Sequence, residues 1–223
     1  MTRAQSLIMS IAGTELVLDP DHALYWPERE TLFVADLHLG KVGHFHKEGI
    51  AIPGQVVNDD YERLHRLMQR YRVKNWICLG DLFHSHWNQE HVLFLKWRSA
   101  YPDVKLTLLE GNHDRYMRKH YEKLNIDIYH SLDLAPFYLI HDWKNEVIPD
   151  KRYALSGHLH PCVRLYGKGR QMIKLVCFWF QAQGAYLPAF GQFTGSHAIQ
   201  PQLNDQIYVV TSSKVVEVNL ESV

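Results

Sequence analysis

The chain has 223 residues, enough for one substantial hydrophobic core, and we expect a single domain over residues 1–223. Apolar residues make up 46% and charged residues 22%, a balance that excludes a disordered, collagenous or membrane protein. The formal net charge is zero, so the overall charge does not indicate a nucleic-acid partner, and only local basic patches could.

Two further features of composition narrow the class of protein. The N-terminal segment has only a short apolar run, too short for a signal peptide or a membrane span, and we expect a cytoplasmic protein. Cys78, Cys162 and Cys177 are odd in number and form no C-x-x-C pair, which argues against a disulfide framework or a cysteine zinc site. Histidine is unusually frequent, with 15 copies, and these side chains are candidates for metal binding.

In chain order, the first half alternates predicted strands with predicted helices. Residues 6–18 form two short strands around Gly13, and residues 31–36 have the length of a buried strand. From Gly54 to Tyr71, apolar residues recur with helical spacing behind Pro53, a residue that helix starts tolerate. The unit then repeats, with strands at 76–79 and 104–109 and helical stretches at 89–100 and after 114.

The second half is mostly strand. Short apolar runs follow one another after residue 126, whereas residues 181–200 are predicted to form an ordered loop rich in glycine and aromatic residues. Alternating strands and helices followed by a strand-rich half favour an α/β fold with a mixed sheet, or two packed sheets, with helices outside. The runs lie at 126–130, 137–141, 153–157, 162–167, 172–180, 207–210 and 214–220.

Polar clusters follow or end the predicted strands at five points. Because the carboxyl ends of strands meet at one rim of an α/β sheet, we expect these clusters to converge there. A spacing of two residues would put both side chains of a D-x-H or H-x-H pair on one side of an extended segment, as chelation requires. The clusters are Asp36-x-His38, Gly80-Asp81, Gly111-Asn112-His113-Asp114, His141 and Gly157-His158-x-His160.

These residue types indicate a two-metal site. Oxygen and imidazole ligands without a thiolate suit Mn²⁺, Fe or Zn²⁺ better than a structural zinc site. Seven candidate ligands exceed the needs of one tetrahedral ion but suit two ions that share a carboxylate and lie roughly 3.5–4 Å apart. The seven are Asp36, His38, Asp81, Asn112, His141, His158 and His160. Asp81 is the natural bridge, since it follows a glycine that lets the backbone pass close to the ions. Each motif alone is more often a turn, a helix cap or a structural histidine, whereas their ordered combination favours the metal site.

The five motifs resemble, in order, those of the calcineurin-like metallophosphoesterases: D-x-H, G-D, G-N-H-[DE], a lone H and G-H-x-H. The resemblance implies two packed mixed β-sheets flanked by helices, with the site at the sheet rim. It also implies two divalent metal ions, of which Mn²⁺ is the expected activator. One ion would take Asp36, His38, Asp81 and His160, and the other Asp81, Asn112, His141 and His158.

A narrower similarity extends over nearly the whole chain. The segments at 33–41, 156–161, 177–180 and 187–195 resemble the bacterial ligase-associated, PdeM-type group, described as DNA-damage-response endonucleases or phosphodiesterases. The resemblance implies DNA as the substrate and DNA ligase or helicase repair proteins as partners. His141-Asp142-Trp143 departs from the H-H-P or H-x-P expected there, which concerns the neighbouring wall of the site more than the metal.

The reaction implied is phosphodiester hydrolysis by a metal-bridging hydroxide. His113, by family resemblance not a ligand, is the predicted general acid that protonates the leaving oxygen. Asp114 is expected to pair with the His113 imidazole and to raise its pKa.

Hydrolysis of a nucleotide or small phosphate ester would use the same residues. A third alternative is a protein-binding module that keeps the metallophosphoesterase fold without the activity. Missing metal ligands would indicate such a module, and this chain has all of them.

A loop, two basic faces and an aromatic triplet are candidate substrate contacts. His44 lies with His46 and Lys47 in a predicted loop, which could bind a phosphate or be merely solvated. The same two alternatives hold for two basic faces. Residues 178–180, Phe-Trp-Phe, could stack on bases, but strand alternation favours core packing. The first basic face comprises Arg115, Arg118, Lys119, His120 and Lys123, and the second Arg164, Lys168, Arg170 and Lys174.

Overall fold

The computed structural model describes residues 5–41, 55–84, 89–121, 124–167, 169, 171–192 and 194–219. Short 3₁₀ turns lie at Pro27–Arg29 and Asp114–Tyr116. Within these ranges no helix is long and apolar enough to cross a bilayer. The α-helices are α1 (Gln55–Arg70), α2 (Gln89–Arg98) and α3 (Arg118–Tyr121).

The first sheet has seven strands in sequence order: β1 (Leu7–Ile11), β2 (Thr14–Asp19), β3 (Ala23–Trp26), β4 (Thr31–Val34), β5 (Asn75–Cys78), β6 (Lys105–Leu109) and β7 (Asp127–Tyr129). Strands β1 to β4 pair in antiparallel fashion, whereas β4 to β7 are parallel. The carboxyl ends of β4, β5 and β6 therefore lie at the same rim.

The second sheet has nine strands: β8 (Ser131–Leu134), β9 (Phe137–Ile140), β10 (Tyr153–Ser156), β11 (Pro161–Tyr166), β12 (Met172–Phe180), β13 (Gly184–Tyr186), β14 (His197–Ala198), β15 (Gln206–Val210) and β16 (Val215–Val218). Their order is β14-β11-β12-β13-β10-β9-β8, with β15 paired to β12 and β16 to β15. Strand β10 runs parallel to both β9 and β13, so these three strands end together.

Three hydrophobic clusters hold the layers together. Leu64 of α1 and Trp76 of β5 belong to the cluster between the helices and the first sheet. Phe33 and Phe178 belong to the cluster between the two sheets, and Ile199 packs on the outer face of the second sheet. The predicted α/β fold with two packed sheets is confirmed, and the described helices all pack on the first sheet.

Residues 181–200, predicted as a loop, contain β13 and β14. Strand β13 has only three residues, too few for a recognisable periodicity, and it exists because β10 and β12 supply hydrogen bonds on either side. Its first residue must be small, since a Cβ on Gly184 would lie 2.7 Å from the Cβ of Ala154. The short strands β3 and β8 were likewise not predicted, and the basic helix expected after residue 114 is broken into a 3₁₀ turn and α3.

The segment after β13 supports the backbone at the end of β4. The Phe190 N–H donates to the Ala35 carbonyl (2.8 Å), and the Gly191 N–H donates to the Asp36 carbonyl (3.1 Å). A Cβ on Gly191 would lie 2.3 Å from the Leu37 carbonyl oxygen, so only glycine allows this approach. This contact gives the 187–195 segment, noted above as a subgroup signal, a structural role beside the first motif.

Arg63 and His22 hold the same segment from the other side. Arg63 donates to the Phe190 carbonyl (2.8 Å), and its guanidinium lies 4.2 Å from the centre of the Phe190 ring. Burial, reinforced by the Arg63 charge, lowers the pKa of His22 to about 4. Its neutral imidazole lies with Nδ1 2.7 Å from the Ala189 carbonyl oxygen. The segment is therefore fixed on both sides before it reaches the strand end.

We predict that Gly191→Ala destabilises the protein by about 1–3 kcal/mol, because its methyl group forces the segment away from the Leu37 carbonyl. Gly195→Ala in the same segment is the matched control, since its Cβ would meet nothing within 4 Å. Urea unfolding of the two variants measures the difference. Equal unfolding free energies would show that the close approach is not tight.

Candidate metal centre

The five polar clusters lie at the carboxyl ends of five strands, of which three are parallel in the first sheet and two are parallel in the second. In the first sheet, β4, β5 and β6 lead to Asp36, Asp81 and Asn112. In the second sheet, β9 and β10 lead to His141 and His158. The structure thus brings together residues from distant parts of the chain, as the hydrogen bonds from the His158 N–H to Asp36, 122 positions away, show.

Asp81 lies between two groups of imidazoles. Its Oδ2 atom is 3.6 Å from Nε2 of His38 and 3.6 Å from Nε2 of His141. On one side, donor atoms of Asp36, His38 and His160 lie within 4.8 Å of one another, and on the other those of Asp36, Asp81 and His141 do so. Donors around one ion with bonds of about 2.1 Å lie about 3–4 Å apart, so these spacings suit two ions with Asp81 between them.

His158 and Asn112 complete the second group. Nδ1 of His158 lies 3.1 Å from Nε2 of His141 and 3.4 Å from the side-chain amide of Asn112. Because the oxygen and nitrogen of an amide exchange places by a flip, the Asn112 oxygen can face the same point. All seven predicted ligands therefore lie at one rim, with Asp36 close to both groups and His38 also close to His84 and His113. The division of the ligands between two ions stays a prediction.

The backbone at five of the seven proposed ligands is left-handed. The spacing of two residues had predicted an extended backbone in the first and last motifs. The left-handed conformation costs a residue with a Cβ about 1–2 kcal/mol. Hydrogen bonds across the strand ends hold it, from the Asp36 N–H to the Gly80 carbonyl (3.0 Å) and from the His38 N–H to the Asp81 carbonyl (2.9 Å). The φ angles are 54° at Asp36, 48° at His38, 52° at Asp81, 67° at His158 and 52° at His160.

The motif glycines leave room for ligands of other motifs. A Cβ on Gly80 would lie 2.0 Å from Nδ1 of His141, and one on Gly111 would lie 2.3 Å from Oδ1 of Asp81. With that room, Nδ1 of His141 comes within 2.7 Å of the Leu79 carbonyl, so Nε2 faces the carboxylates. Gly80 thus gives space to a ligand imidazole, whereas the sequence suggested space for the ions.

The electrostatics of the centre fit bound cations. Asp36 and Asp81 are almost fully buried, at 0% and 3% exposure. Within the described residues, Nε2 of His38 and of His160 are buried without a hydrogen-bond partner. Burial, with the neighbouring histidines, lowers the pKa of His38 to about 2, which leaves its lone pair free for a metal. Burial opposes a charged His141, yet the Asp36 and Asp81 carboxylates outweigh it and raise its pKa.

Asp114 has a different contact from the one expected. Its buried carboxylate accepts hydrogen bonds from the N–H groups of Asp81 (2.7 Å) and Gly111 (2.9 Å) and from the Tyr121 hydroxyl (2.6 Å). The expected pairing with the His113 imidazole is not formed among the described residues. Burial raises the pKa of Asp114 to about 6. The carboxylate joins the loops after β5 and β6, because unpaired N–H groups there would otherwise be buried.

His113 lies beside the centre and contacts a histidine that the sequence analysis missed. The backbone N–H of His113 donates a hydrogen bond to Oδ1 of Asp81 (2.9 Å). The imidazole of His113 stacks on that of His84, with ring centroids 4.7 Å apart. Nδ1 of His84 in turn lies 3.3 Å from Nδ1 of His38. His84 could have been found from its position in the sequence, because it comes three residues after Asp81 of the second motif.

The proposed substrate contacts are only partly described. Arg115 is exposed on the 3₁₀ turn after the third motif. Arg164 is exposed on β11, opposite Lys174 of β12, and β11 begins directly after His160. His44, His46, Lys47, Lys123, Lys168 and Arg170 lie outside the described residues, as do the side chains of Arg118 and Lys119.

We predict that Asp114→Asn lowers the free energy of unfolding by about 1–3 kcal/mol, because an amide cannot accept every bond that the carboxylate accepts. Tyr121→Phe, which removes a single donor, is the milder comparison. Urea unfolding of the metal-free proteins measures both. A variant with wild-type stability and an altered pH–rate profile would instead support the pairing with His113.

Comparisons with known proteins agree with this geometry. The chain matches the family model described as calcineurin-like phosphoesterase over residues 30–167. No curated protein matches the sequence. Among solved structures, the nuclease MPE of Pseudomonas putida is similar, with a TM-score of 0.81 and 30% identity over 96% of this chain and 100% of that one. Since the family match contains all five motifs and the structural similarity covers nearly the whole chain, the protein belongs to the calcineurin-like phosphoesterase family, whose members are metal-dependent hydrolases.

Proposed function

We propose that the protein is a dinuclear phosphodiesterase that cleaves DNA, with Mn²⁺ as the activating ion. The observation that carries the proposal is the position of Asp81, whose Oδ2 atom lies 3.6 Å from an imidazole nitrogen of each ligand group. The similarity to a nuclease over nearly the full chain supports a nucleic-acid substrate. Carboxylate, amide and imidazole ligands without a thiolate support Mn²⁺ over softer metals.

The donor set suits phosphoryl chemistry. When bound, two divalent cations supply an acidified water as nucleophile and neutralise the phosphoryl oxygens. Asp36 and Asp81 hold the negative charge that such cations require, and both are shielded from solvent. The imidazole nitrogens of His38 and His160 would add ligand atoms without adding negative charge to that of the two carboxylates.

We assign the protonation of the leaving group to His113. The backbone N–H of His113 donates a hydrogen bond to Oδ1 of Asp81, so His113 lies directly beside the proposed bridging carboxylate. The imidazole is only partly buried, and Nδ1 lies 3.2 Å from the His84 carbonyl oxygen. With Nδ1 held there, Nε2 is the nitrogen that can donate a proton to the departing oxygen. The carbonyl of His84, and not the Asp114 carboxylate, orients the proposed general acid.

The hairpin of β11 and β12 offers a surface for the DNA strand. Arg164 and Lys174 are cross-strand neighbours and, with Tyr166, line a cleft of ≈ 1410 Å³. The cleft begins next to the centre, because β11 starts after His160 and the His197 N–H of β14 donates to the His160 carbonyl (2.9 Å). Asp205 and Glu217 also line the cleft, so we assign the phosphate contacts to the two cations alone.

A role in DNA repair, with a ligase or helicase as partner, is part of the proposal. Its support is the resemblance of the segments at 33–41, 156–161, 177–180 and 187–195 to the ligase-associated group. A cytoplasmic location agrees with the cysteines, since Cys78, Cys162 and Cys177 are all free and buried, as a reducing compartment favours.

We predict that the purified protein with Mn²⁺ hydrolyses bis-para-nitrophenyl phosphate and DNA, and that EDTA abolishes both activities. In His113→Ala, cleavage of DNA falls about 10²- to 10⁴-fold, because the sugar alkoxide needs a proton to leave. Hydrolysis of the nitrophenyl diester falls much less, because nitrophenolate leaves without one. Steady-state rates on the two substrates measure this contrast.

Metal analysis of wild type and His113→Ala is the control, and both should bind the same number of ions. Activity on the para-nitrophenyl mono-ester alone would contradict the nuclease proposal and favour the small phosphate-ester alternative. Equal losses on both diesters would contradict the role of His113 as the acid while leaving the metal centre intact.

We predict that Arg164→Gln and Lys174→Gln weaken DNA binding. Each should make the negative slope of log K against log salt shallower by about 0.7–0.9, which corresponds to the loss of one phosphate contact. Fluorescence anisotropy in a His113→Ala background measures binding without cleavage. Arg152→Gln is the matched control, since Arg152 pairs with Asp133 of β8, away from the cleft. An unchanged slope in both cleft variants would place the DNA elsewhere.

A further inference from the structure

Asp142, the residue that departs from the family pattern, lies beside a proposed ligand. Its Oδ2 atom is 3.8 Å from Nε2 of His158. The other ring nitrogen of His158, Nδ1, points toward His141 (3.1 Å) and Asn112 (3.4 Å). The two nitrogens of one imidazole therefore face two different environments, the proposed ion on one side and a carboxylate on the other.

The carboxylate of Asp142 is held in place through its other oxygen. Oδ1 accepts hydrogen bonds from the Tyr186 hydroxyl (2.9 Å) and from the Lys144 N–H (3.1 Å). With Oδ1 engaged twice, Oδ2 remains directed at His158. Burial and the nearby Asp142 charge raise the pKa of Tyr186, so its hydroxyl keeps the proton that it donates.

Tyr186 is itself fixed by packing. It ends β13, is only 4% exposed, and its ring packs against two tryptophan rings. The ring of Trp143 is stacked at 5.8 Å and that of Trp179 at 5.9 Å between centroids. The glycine at the start of β13 leaves room for this arrangement, because a Cβ on Gly184 would lie 2.9 Å from the Trp143 ring. The tyrosine hydroxyl thus has little freedom to leave Asp142.

These contacts have a consequence for the tautomer of His158. A neutral imidazole carries one N–H. The negative charge of a carboxylate oxygen 3.8 Å from Nε2, farther than a direct hydrogen bond, favours the proton on that nitrogen. The lone pair is then on Nδ1, the nitrogen that faces His141 and Asn112. Carboxylates in this position orient metal-binding histidines in many proteins and make them better donors.

We propose that Asp142 is a positioning residue that holds His158 as the Nε2–H tautomer for metal binding through Nδ1, and that Tyr186 anchors Asp142. The inference rests on the proposed two-ion function. Asp142 and Trp143 are the residues that depart from the family pattern. In this proposal Asp142 orients His158, a ligand of the second ion, and Trp143 packs against the tyrosine that holds Asp142.

The test is Asp142→Asn. The amide keeps the shape of the side chain but can turn its NH₂ group toward Nε2, which moves the imidazole proton to Nδ1 and blocks the lone pair. We expect the affinity of one of the two Mn²⁺ ions to fall about 10- to 100-fold, with the other unchanged. Isothermal titration of the metal-free protein with Mn²⁺ measures the two affinities separately. Asp133→Asn, at an exposed carboxylate paired with Arg152, is the matched control.

A milder variant keeps the test decisive if Asp142→Asn folds poorly. Tyr186→Phe removes only the anchoring hydroxyl and should weaken the same ion by a smaller factor, while Tyr138→Phe, which loses a hydrogen bond to Ser131 (2.8 Å), should bind as wild type. Loss of both ions together in a well-folded Tyr186→Phe protein would indicate a general structural role and overturn the proposal.

Histidine ¹H–¹⁵N correlation spectra of the metal-free protein give an independent readout. We expect His158 as the Nε2–H tautomer in wild type and a shift toward Nδ1–H in Asp142→Asn. Unchanged Mn²⁺ affinities and an unchanged tautomer would overturn the inference while two bound ions in wild type still supported the two-ion proposal. Wild-type protein that binds a single ion would contradict the two-ion proposal, and the affinity of that ion in Asp142→Asn would then carry the test.

Discussion

The centre depends on two carboxylates buried at the ends of neighbouring parallel strands, Asp36 after β4 and Asp81 after β5. Burial of a charge costs several kcal/mol unless hydrogen bonds and opposite charge compensate for it. Backbone N–H groups supply part of this compensation, from His158 to Asp36 and from His113 to Asp81. The proposed cations would supply the remainder, and among the described residues Nε2 of His38 and of His160 are buried near these carboxylates without a hydrogen-bond partner.

Close approach of several strand ends imposes a second requirement, on the backbone. Five of the proposed ligands have left-handed φ angles, and the motif glycines stand where any Cβ would collide with a ligand from another motif. A conformation of this kind persists only where the surroundings hold it. Here the hydrogen bonds between the loops after β4 and β5 do so, together with the segment after β13 that contacts the Ala35 and Asp36 carbonyls.

The carboxylates around the centre serve different purposes although their sequence contexts look alike. Asp36 and Asp81 face the imidazoles, Asp114 binds backbone N–H groups, and Asp142 faces the outer nitrogen of a histidine. What separates them is the set of donors within reach. A carboxylate surrounded by N–H groups has its lone pairs occupied, whereas one surrounded by imidazole nitrogens has lone pairs left for a metal.

The sequence by itself determined the alternation of strands and helices in the first half, the strand-rich second half, and the five motifs at strand ends. These follow from local periodicity and from the rule that parallel strands of one sheet end at a common rim, which predicts that Asp36, Asp81 and Asn112 lie near one another.

Only the tertiary structure decided the partner of Asp114, the position of His84, the left-handed backbone of the ligands and the use of residues 187–195. Each depends on hydrogen bonds or close contacts between segments far apart in the chain, such as the one from the Gly191 N–H to the Asp36 carbonyl. A local pattern carries no information about which donor will reach a given acceptor, because that is set by the packing of two sheets against each other.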